Sequence, residues 1–425
     1  MKRLYLGVLL LLVIPLLSAC RSVNPFTDPG MYLYSDNLLA VMFEGKWGYI
    51  DDRGRVQIDF EYEAAGAFYE GVALIYKDEK YALIDTKGNL VSEWYGTLER
   101  DYETGLTWYV KDGKLGLLDM KGRPLTDPIY EDLWIGSFGT YVETRFSDGL
   151  ARVSQDGKYG FIDTRGRVQI DIEFDSVRHF SEGFAVYYDN DAKLYGYINQ
   201  RGRVAIDPEF RSAGDFNIHG QAVVTLDIDG PHNRAVISDR GRIVFDECES
   251  ISYNEEGYRI KKDGEFFLVN ARGRTHHRNG YETMSYYNDH SFRSGDILID
   301  LEGNVVHEDI SSVDTVIYDD GTFYFIIYGE NGEATVEYGR RSSTVTMDWI
   351  FQIKDGLLTG RRDGKGGVID LRDRVVVDFE YVSIFITDDD FIVVFTEDDT
   401  IGILNLRGNP ITETYYEDVN PNLNP

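Results

Sequence analysis

The stretch Gly157-Lys-Tyr-Gly-Phe-Ile-Asp-Thr-Arg-Gly-Arg-Val-Gln-Ile170 recurs in altered form along most of the chain. It consists of a polar turn, an aromatic-Gly-apolar-apolar-Asp run, two variable residues, a second Gly, usually an Arg, and an alternating apolar run. Alternation with a period of two is typical of β-strands. The stretch therefore predicts an antiparallel hairpin or meander, and its recurrence predicts a tandem repeat.

The copies are spaced by about 35 residues, a period that indicates a solenoid or a propeller. The interval between Asp300 and Asp370 equals two such periods, so we expect a degenerate eleventh copy near Ala334–Gly339. We predict an all-β array of about eleven units over residues 31–425, degenerate around 235–340. The array should be propeller-like, with one or two closed rings; an open β-solenoid is the alternative. The aligned Asp positions are Asp51, Asp85, Asp119, Asp163, Asn199, Ser238, Asn270, Asp300, Asp370 and Asn405.

The two ends of the array are out of phase. Residues 34–41 align with residues 146–153, so the array begins partway through a unit, and the last unit stops near Val419 without that part. The partial unit at the start supplies the part that the last unit lacks. This favours a ring in which the two ends of the chain complete one sheet, because two exposed sheet edges are then covered at once. Eleven units exceed the usual four to eight blades, so closure implies two rings or an unusual blade assignment.

The Asp position of the repeat holds Asp, Asn or Ser in all ten confident copies. These residue types accept hydrogen bonds from the backbone of a turn, and a Gly three residues later suits a left-handed conformation. Since uncharged Asn and Ser replace Asp, the position requires an acceptor and not an anion. We therefore predict structural turns and no catalytic or metal role for the pairs Asp51 and Gly54, Asp119 and Gly122, Asp163 and Gly166, and Asn405 and Gly408.

The N-terminus contains a basic start at Lys2 and Arg3, an apolar run from Leu6 to Leu17, and then Ser18-Ala19-Cys20. This order resembles a bacterial lipoprotein signal. The resemblance implies a signal peptide over residues 1–19, acylation of Cys20, for example by palmitate, a tether over residues 20–30, and a lipid-anchored extracytoplasmic location on the cell membrane. An uncleaved anchor helix is the alternative, but the apolar run is shorter than the roughly 20 residues that a span needs.

The charge balance is strongly acidic, with 43 basic and 73 acidic residues and a formal net charge of −30. Such a surface repels nucleic acid and anionic lipid headgroups. We expect no nucleic-acid partner and a self-repelling exterior, or else a surface that recruits cations or a basic partner.

The segment Gly45-Lys-Trp-Gly-Tyr-Ile-Asp51, followed by Gly54, resembles the WG repeat, a bacterial β-rich tandem repeat. The resemblance covers most of Leu38 to Val419, although only the first copy keeps the Trp. It implies a propeller-like fold and mostly no defined biochemical activity. A weaker similarity links the same pattern to hairpin repeats that bind cell-wall choline or glucan through aromatic residues.

Motifs for other chemistry are absent from the sequence, which has no phosphate loop, dinucleotide fingerprint or Gly-x-Ser-x-Gly. The seven His residues lack the spacing of metal ligands. The acidic runs Asp388–Asp390 and Asp398–Asp399 favour solvated turns, with a weak Ca²⁺ site as the alternative. We predict no cofactor and no metal, and we interpret Cys248 as a half-buried structural thiol.

An insertion around Trp134 to Phe146 separates the third and fourth copies. Loops on rigid scaffolds often carry function, so Trp134 and Tyr141 are the predicted ligand-facing residues. Taken with the N-terminal signal, these features predict a non-catalytic binding or scaffold protein of the bacterial cell envelope, with a protein or wall polymer as partner. The alternative is a propeller-type hydrolase or lyase that acts on extracellular polysaccharide.

Overall fold

The computed structural model of the 425-residue chain describes residues 31–423, except 33–35, 102–103, 132, 137–138, 143–144, 255–256, 276–279, 289, 330–331, 413–414 and 421. For residues 31–32, 133–136, 139–142, 254, 419–420 and 422–423 it describes the backbone alone. The predicted signal peptide, Cys20 and the tether lie outside the described residues. No helix within the described part is long and apolar enough to cross a membrane.

The repeat unit is a four-stranded antiparallel sheet. Unit 4 shows it completely, with strands Phe146–Ser147, Leu150–Gln155, Lys158–Asp163 and Val168–Phe174 side by side in that order. The segment Val177–Ser181, which follows this sheet, pairs with the next unit and is its first strand.

Within the described part of the chain eleven such units follow one another, and the predicted degenerate copy is the third strand of unit 9. Where a unit has fewer strands, isolated bridges continue its sheet. Before unit 4, the strands of unit 1 are Leu38–Phe43, Lys46–Asp51 and Val56–Tyr62; those of unit 2 are Ala64–Ala65, Val72–Lys77 and Lys80–Asp85; and those of unit 3 are Leu98–Arg100, Thr107–Lys111 and Lys114–Leu118.

After unit 4, the strands of unit 5 are Val177–Ser181, Phe184–Asp189, Leu194–Asn199 and Val204–Ala213; those of unit 6 are Gln221–Leu226, Arg234–Ser238 and Ile243–Cys248, beside the end of Val204–Ala213; and those of unit 7 are Ser250–Asn254, Gly257–Lys262 and Glu265–Val269.

The strands of unit 8 are Ser285–Asn288, Ser291–Ser294, Ile297–Asp300 and Val305–His307, followed by the 3₁₀ turn Ile310–Ser312. Those of unit 9 are Thr315–Asp319, Thr322–Tyr328, Glu333–Tyr338 and Arg341–Thr346; those of unit 10 are Trp349–Lys354, Leu357–Arg362, Lys365–Asp370 and Val375–Tyr381; and those of unit 11 are Ser383–Ile386, Phe391–Phe395 and Ile401–Asn405.

The Gly inside the third strand marks a bulge. Tyr159 pairs with Phe174 and Phe161 pairs with Ile170, so the fourth strand gains residues between these pairs. A Cβ on Gly160 would lie 2.7 Å from the carbonyl oxygen of Ile170. The close backbone approach requires Gly, as a Gly within a strand often indicates.

Hydrophobic clusters join each unit to the next. Eleven clusters, each shared by two neighbouring units, connect units 1 to 11 in order, and the eleventh returns to unit 1. In that last cluster, Leu39 and Val41 of unit 1 pack with Val393 and Ile401 of unit 11. The contacts between units therefore form one circuit of eleven members.

The two ends of the array share a sheet. Strand Asp418–Asn420 pairs with Leu38–Phe43 and supplies the first strand of unit 1. Farther along, Met31–Tyr32 pairs with Asn422–Leu423. The all-β, propeller-like fold predicted from the sequence is confirmed, and the ends meet, a contact that an open solenoid does not require.

The turn Gly of one unit packs on the preceding unit. A Cβ on Gly202 would lie 2.9 Å from Ile170 Cγ2 of unit 4, and one on Gly54 would lie 2.6 Å from Thr412 Cβ, which follows unit 11. The same seating recurs at Gly122, where the nearest atom is the carbonyl oxygen of Val91 at 2.4 Å. The glycine thus serves both the turn and the joint between units.

Candidate functional site

The repeat turns are held by their own side chains. Asp163 Oδ1 accepts the backbone N–H groups of Arg165 and Arg167, both at 2.9 Å, and Gly166 donates its N–H to the Asp163 carbonyl at 2.9 Å with φ of 74°. The Arg167 guanidinium also donates to Asp163 Oδ2 at 2.9 Å. These groups satisfy one another within the turn. The same arrangement occurs at Asp51 with Gly54, Asp119 with Gly122 and, with an amide oxygen as acceptor, Asn405 with Gly408.

The charged pair in these turns lowers the pKa of the Asp carboxyl without making it reactive. The hydrogen bond from the Arg55 guanidinium outweighs burial and holds the pKa of Asp51 below its usual value. A carboxylate that is already ionised and bonded cannot act as a general acid near neutral pH. The turns are therefore structural elements of each unit.

The insertion after unit 3 forms a hairpin of strands Leu133–Gly136 and Gly139–Val142. In its register Trp134 stands directly opposite Tyr141. The backbone thus brings the two predicted ligand-facing residues together. Their side chains lie outside what the structure describes.

The ammonium group of Lys354 lies beside the acidic run Asp388–Asp390. Lys354 Nζ lies 3.6 Å from Asp388 Oδ1 and 3.6 Å from Asp390 Oδ1, and it donates to the Thr387 carbonyl at 2.6 Å. A lysine in this position neutralises the carboxylates that a Ca²⁺ ion would need. Among the described residues no group of three or more His, Cys, Asp or Glu could hold a metal ion.

Cys248 is 1% exposed, so it is fully buried and not half-buried as predicted. It packs in the core between units 6 and 7, because its place at the end of a strand turns it toward Val236 and Tyr258. Burial raises the pKa of its thiol to about 11. A buried, protonated thiol is a structural residue and not a nucleophile.

A recess of about 420 Å³ lies between units 2 and 3 and is lined in part by Glu93, Tyr95, Tyr109 and Asp112. Both tyrosines are buried, and the Tyr109 hydroxyl donates to the Thr126 carbonyl at 2.9 Å. Their faces therefore belong to the core and do not offer a binding surface.

Exposed aromatic side chains concentrate on the first strands of units 7, 8 and 10. This is uncommon, because large aromatic side chains in a repeat array normally serve as core wedges between units. The exposed fractions are 40% for Tyr253, 61% for Tyr286, 49% for Trp349 and 44% for Phe351, and we call these four residues the aromatic row.

The first strands of neighbouring units lie side by side. Ser147 Oγ donates to the Phe180 carbonyl at 2.6 Å, and Ser181 Oγ donates to the Phe216 carbonyl at 2.7 Å. Because the units fan out around a circuit, edges that touch one another are the inner edges of the sheets. The aromatic row therefore lies on strands of the inner edge.

Trp349 is held in place by unit 9. Its ring stacks on Tyr328, with centroids 5.2 Å apart and an interplanar angle of 11°. The hydroxyl of Tyr328 in turn accepts the backbone N–H of Ile350 at 3.0 Å. A preorganised aromatic face loses little conformational entropy on binding.

Sequence reasoning did not select the aromatic row. Trp349 and Trp108 both stand outside the repeat pattern, yet Trp108 is buried and stacks on Phe146. A usable signal was present in units 7 to 10, where first strands carry aromatic residues at positions that hold smaller residues in Ala64–Ala65 of unit 2.

The comparison with protein families agrees with the turn and strand geometry. Residues 47–81, 140–159, 159–191 and 195–227 match the WG containing repeat. The chain carries WG repeats. The matched WG repeats fall in units 1 and 2 and in units 4 to 6 with the hairpin before them, while the remaining units keep the same strand order with more divergent sequences.

No curated protein sequence matches the chain. Among solved structures, a eukaryotic initiation factor aligns over 91% of this chain and 98% of its own, with 10% identity and a TM-score of 0.39. BamB from Moraxella catarrhalis aligns over 89% and 99%, with 8% identity and a TM-score of 0.28. Hsv2p of Kluyveromyces lactis aligns over 64% and 94%, with 11% identity and a TM-score of 0.28. At these scores no function is inferred from the WG-repeat chain's similarity to them.

Proposed function

We propose that this WG-repeat chain is a non-catalytic binding and scaffold protein of the bacterial cell envelope. Lipid on Cys20 anchors it to the outer side of a cell membrane, and the aromatic row holds its ligand. The anchor is supported by the order of basic, apolar and Leu-Ser-Ala-Cys segments at the N-terminus. The binding role is supported by the WG repeats and their propeller-like sheets.

The observation that carries the binding role is the exposure of the aromatic row. Leaving apolar rings in water costs about 25 cal/mol for each Å² that could be buried, so four such residues on the inner strands of units 7, 8 and 10 are unfavourable unless a ligand covers them. Trp349 and Phe351 share one strand, whereas Tyr253 and Tyr286 lie on others. Protein hot spots gather in one central patch. Rings spread over three strands fit better to successive sugar rings of a wall polymer, whose flat faces stack on aromatic side chains.

Binding to wall material tests this proposal. The mature chain should sediment with purified insoluble cell wall, and Trp349→Ala with Phe351→Ala should reduce the bound fraction at least tenfold. Ile228→Ala is the matched control, because Ile228 is equally exposed but lies in a turn of unit 6. Equal binding by the double variant and the control would refute a role for the aromatic row.

The hairpin residues can be tested in the same assay. If Trp134→Ala with Tyr141→Ala abolishes binding while Trp349→Ala does not, the ligand is held by the insertion instead. Release of soluble sugars from the wall by the purified protein would overturn the non-catalytic role and favour the hydrolase or lyase alternative.

The lipid anchor has an independent test. Cys20→Ala should move the protein from the membrane fraction to the soluble fraction, because a single thiol carries the acyl chains. Retention of this variant in the membrane fraction would count against acylation at Cys20.

A further inference from the structure

The turns of units 4 to 7 carry an excess of arginine that the repeat itself does not use. The segments Asp163–Val168, Asn199–Val204, Ser238–Ile243 and Asn270–Thr275 together contain eight Arg residues and two Asp residues. This local excess of positive charge lies in a chain whose net charge is −30. It therefore needs its own explanation.

The second Arg of each turn has a structural role only where the turn contains Asp. Arg167 pairs with Asp163, as Arg55 does with Asp51 and Arg374 does with Asp370. In units 5 to 7 the corresponding turn residue is Asn199, Ser238 or Asn270, which supplies an acceptor without a charge. The Arg is nevertheless present in all three units. Pairing within the turn cannot account for it there.

Seven guanidinium groups are consequently available, and we call them the arginine arc. All seven residues are exposed, and among the described residues none of their side chains has an ion-pair partner. The turns between the first and second strands of units 4 and 5 lie at the same end of the sheets as these arginines. They contribute the carboxylates of Asp148 and Glu182, and Asp148 accepts the backbone N–H of Gly183. The arginine arc consists of Arg165, Arg201, Arg203, Arg240, Arg242, Arg272 and Arg274.

The four turns form a continuous row. Gly202 in the turn of unit 5 packs on Ile170 of unit 4, and Gly241 in the turn of unit 6 packs on Ile206 of unit 5. A Cβ on Gly241 would lie 3.2 Å from Ile206 Cγ2. The turn of unit 7 seats Gly273 on Phe245 in the same way. Each turn thus lies beside the strand that leaves the previous turn, and the arginines follow one another along one end of the sheets.

Aliphatic side chains accompany the arginines. Val168, Val204 and Ile243 each follow the second Arg of a turn and are 50%, 52% and 51% exposed. Each starts a strand at the end of the sheet, with the next inward-facing residue, such as Ile170, buried. A surface that alternates guanidinium groups with half-exposed aliphatic groups suits the headgroup layer of a membrane better than a fully aqueous polyanion.

The beginning of the described chain lies at this same end. Leu38 pairs with Asp51, so the chain enters unit 1 beside the turn of that unit. Strand Asp418–Asn420 runs toward this end, and Met31–Tyr32 pairs with its continuation. The turn glycines of units 1 to 7 each lie against the preceding unit in the same sense, so the turns of units 1 and 4 to 7 share one face. Cys20 precedes Met31 by eleven residues, a span of at most about 40 Å.

We propose that the arginine arc docks this face of the protein on an anionic phospholipid surface and so orients the array on the membrane. The guanidinium groups bind lipid phosphates, and the aliphatic side chains enter the headgroup layer. The proposal rests on the membrane-proximal location proposed above, but it does not require acylation of Cys20.

Part of the negative charge of the chain lies away from the docking face. The acidic residues Asp156, Asp191 and Asp263 lie in turns at the other end of the strands. A six-residue strand is about 20 Å long, whereas the Debye length is about 8 Å at physiological ionic strength. Charges on the far end are therefore largely screened from the membrane.

Vesicle binding by lipid-free protein tests the proposal. The probe is the mature chain, residues 20–425, with Cys20→Ala, and vesicles contain either 30% phosphatidylglycerol in phosphatidylcholine or phosphatidylcholine alone. We expect at least tenfold tighter binding to the anionic vesicles and a loss of most of this difference in 0.5 M NaCl. Equal binding to both vesicle types would overturn the proposal.

Charge variants locate the interaction. Arg201→Gln, Arg240→Gln and Arg272→Gln together should weaken binding to anionic vesicles at least tenfold. The matched control is the triple replacement by Gln of Arg53, Arg372 and Arg407, which occupy the same turn position in units 1, 10 and 11. It should change binding less than twofold. An equal loss in both triple variants, or in neither, would refute a role for the arc.

Two further measurements separate this proposal from others. The first is binding of inorganic polyphosphate. If polyphosphate binds the arginine arc and anionic vesicles do not, the partner is a soluble polyanion and the membrane proposal is refuted. The second is wall binding, which is measured without vesicles. If the protein binds anionic vesicles but not cell wall, the wall polymer is refuted as the ligand of the aromatic row, and the role of the arginine arc remains supported.

Discussion

Gly54 offers a direct measurement of the joint between the two ends of the array. Replacing it with Ala imposes two costs: its φ of 71° is unfavourable for Ala by about 1–2 kcal/mol, and the new Cβ would lie 2.6 Å from Thr412 Cβ. Overpacking of this kind costs about 1–3 kcal/mol. Gly45 is the matched control, because it belongs to the same unit, has the same φ of 71° and has no atom within 4 Å of the added Cβ.

We therefore expect Gly54→Ala to lower the free energy of unfolding by about 2–5 kcal/mol and Gly45→Ala by about 1–2 kcal/mol. Urea unfolding followed by tryptophan fluorescence, to which buried Trp47 contributes, measures both values. Hydrogen exchange at Ala40 and Met42, which pair with Asn420 and Asp418, should accelerate only in the Gly54 variant.

A double-mutant cycle shows whether the extra cost arises at the joint. Thr412→Gly removes the opposing Cβ and should recover about 1 kcal/mol or more of the loss in the Gly54 variant, beyond what additivity gives. If Gly54→Ala and Gly45→Ala prove equally destabilising and no coupling to Thr412 is found, the first and last units are not packed as described.

Three further perturbations concern single groups. Asp163→Asn should lower the free energy of unfolding by less than about 1 kcal/mol, because the amide oxygen still accepts the turn N–H groups, whereas Asp163→Ala should lower it by about 1–2 kcal/mol. Equal losses in urea unfolding would contradict the acceptor role. Burial lowers the pKa of His179 to about 4, so the unfolded state takes up a proton first, and stability that is complete above pH 6.5 decreases as the pH falls toward 4. We expect wild type to lose about 1 kcal/mol more than His179→Gln between pH 7 and pH 5, after allowance for partial exposure, and a parallel pH profile would exclude this origin. Cys248 should react with iodoacetamide at pH 8 only on unfolding; rapid labelling of the folded chain would show that its thiol is accessible.

Features that depend on nearby residues could be predicted from the sequence. Asp163, Gly166 and the alternating strand Val168–Phe174 form local hydrogen bonds, so their roles follow from residue type and spacing. The meeting of the two ends was also foreseeable, because the phase of the repeat at residues 34–41 is a property of the sequence. The identity of the closing strand, Asp418–Asn420, was not, since three residues carry too little pattern.

Features that depend on contacts between units could not be predicted in this way. The seat of Gly54 on Thr412 joins residues more than 350 positions apart, and nothing in the local pattern indicates it. The exposure of Trp349 and the burial of Trp108 are equally non-local, because each depends on which neighbouring unit covers the ring. The arginine arc could have been found by asking where Arg persists after its Asp partner is lost.

The pairing of Asp418–Asn420 with the first unit also affects how such a chain can evolve. In a linear array the gain of a unit adds length, whereas in a circuit it changes the angle at every joint. Passing from eleven units to ten or twelve alters the mean rotation between neighbours by only about 3°, well within the natural variation of twist between adjacent strands. Duplication or loss of a whole unit would therefore be absorbed by small adjustments around the circuit, and the number of units in related chains can vary while the ends still meet.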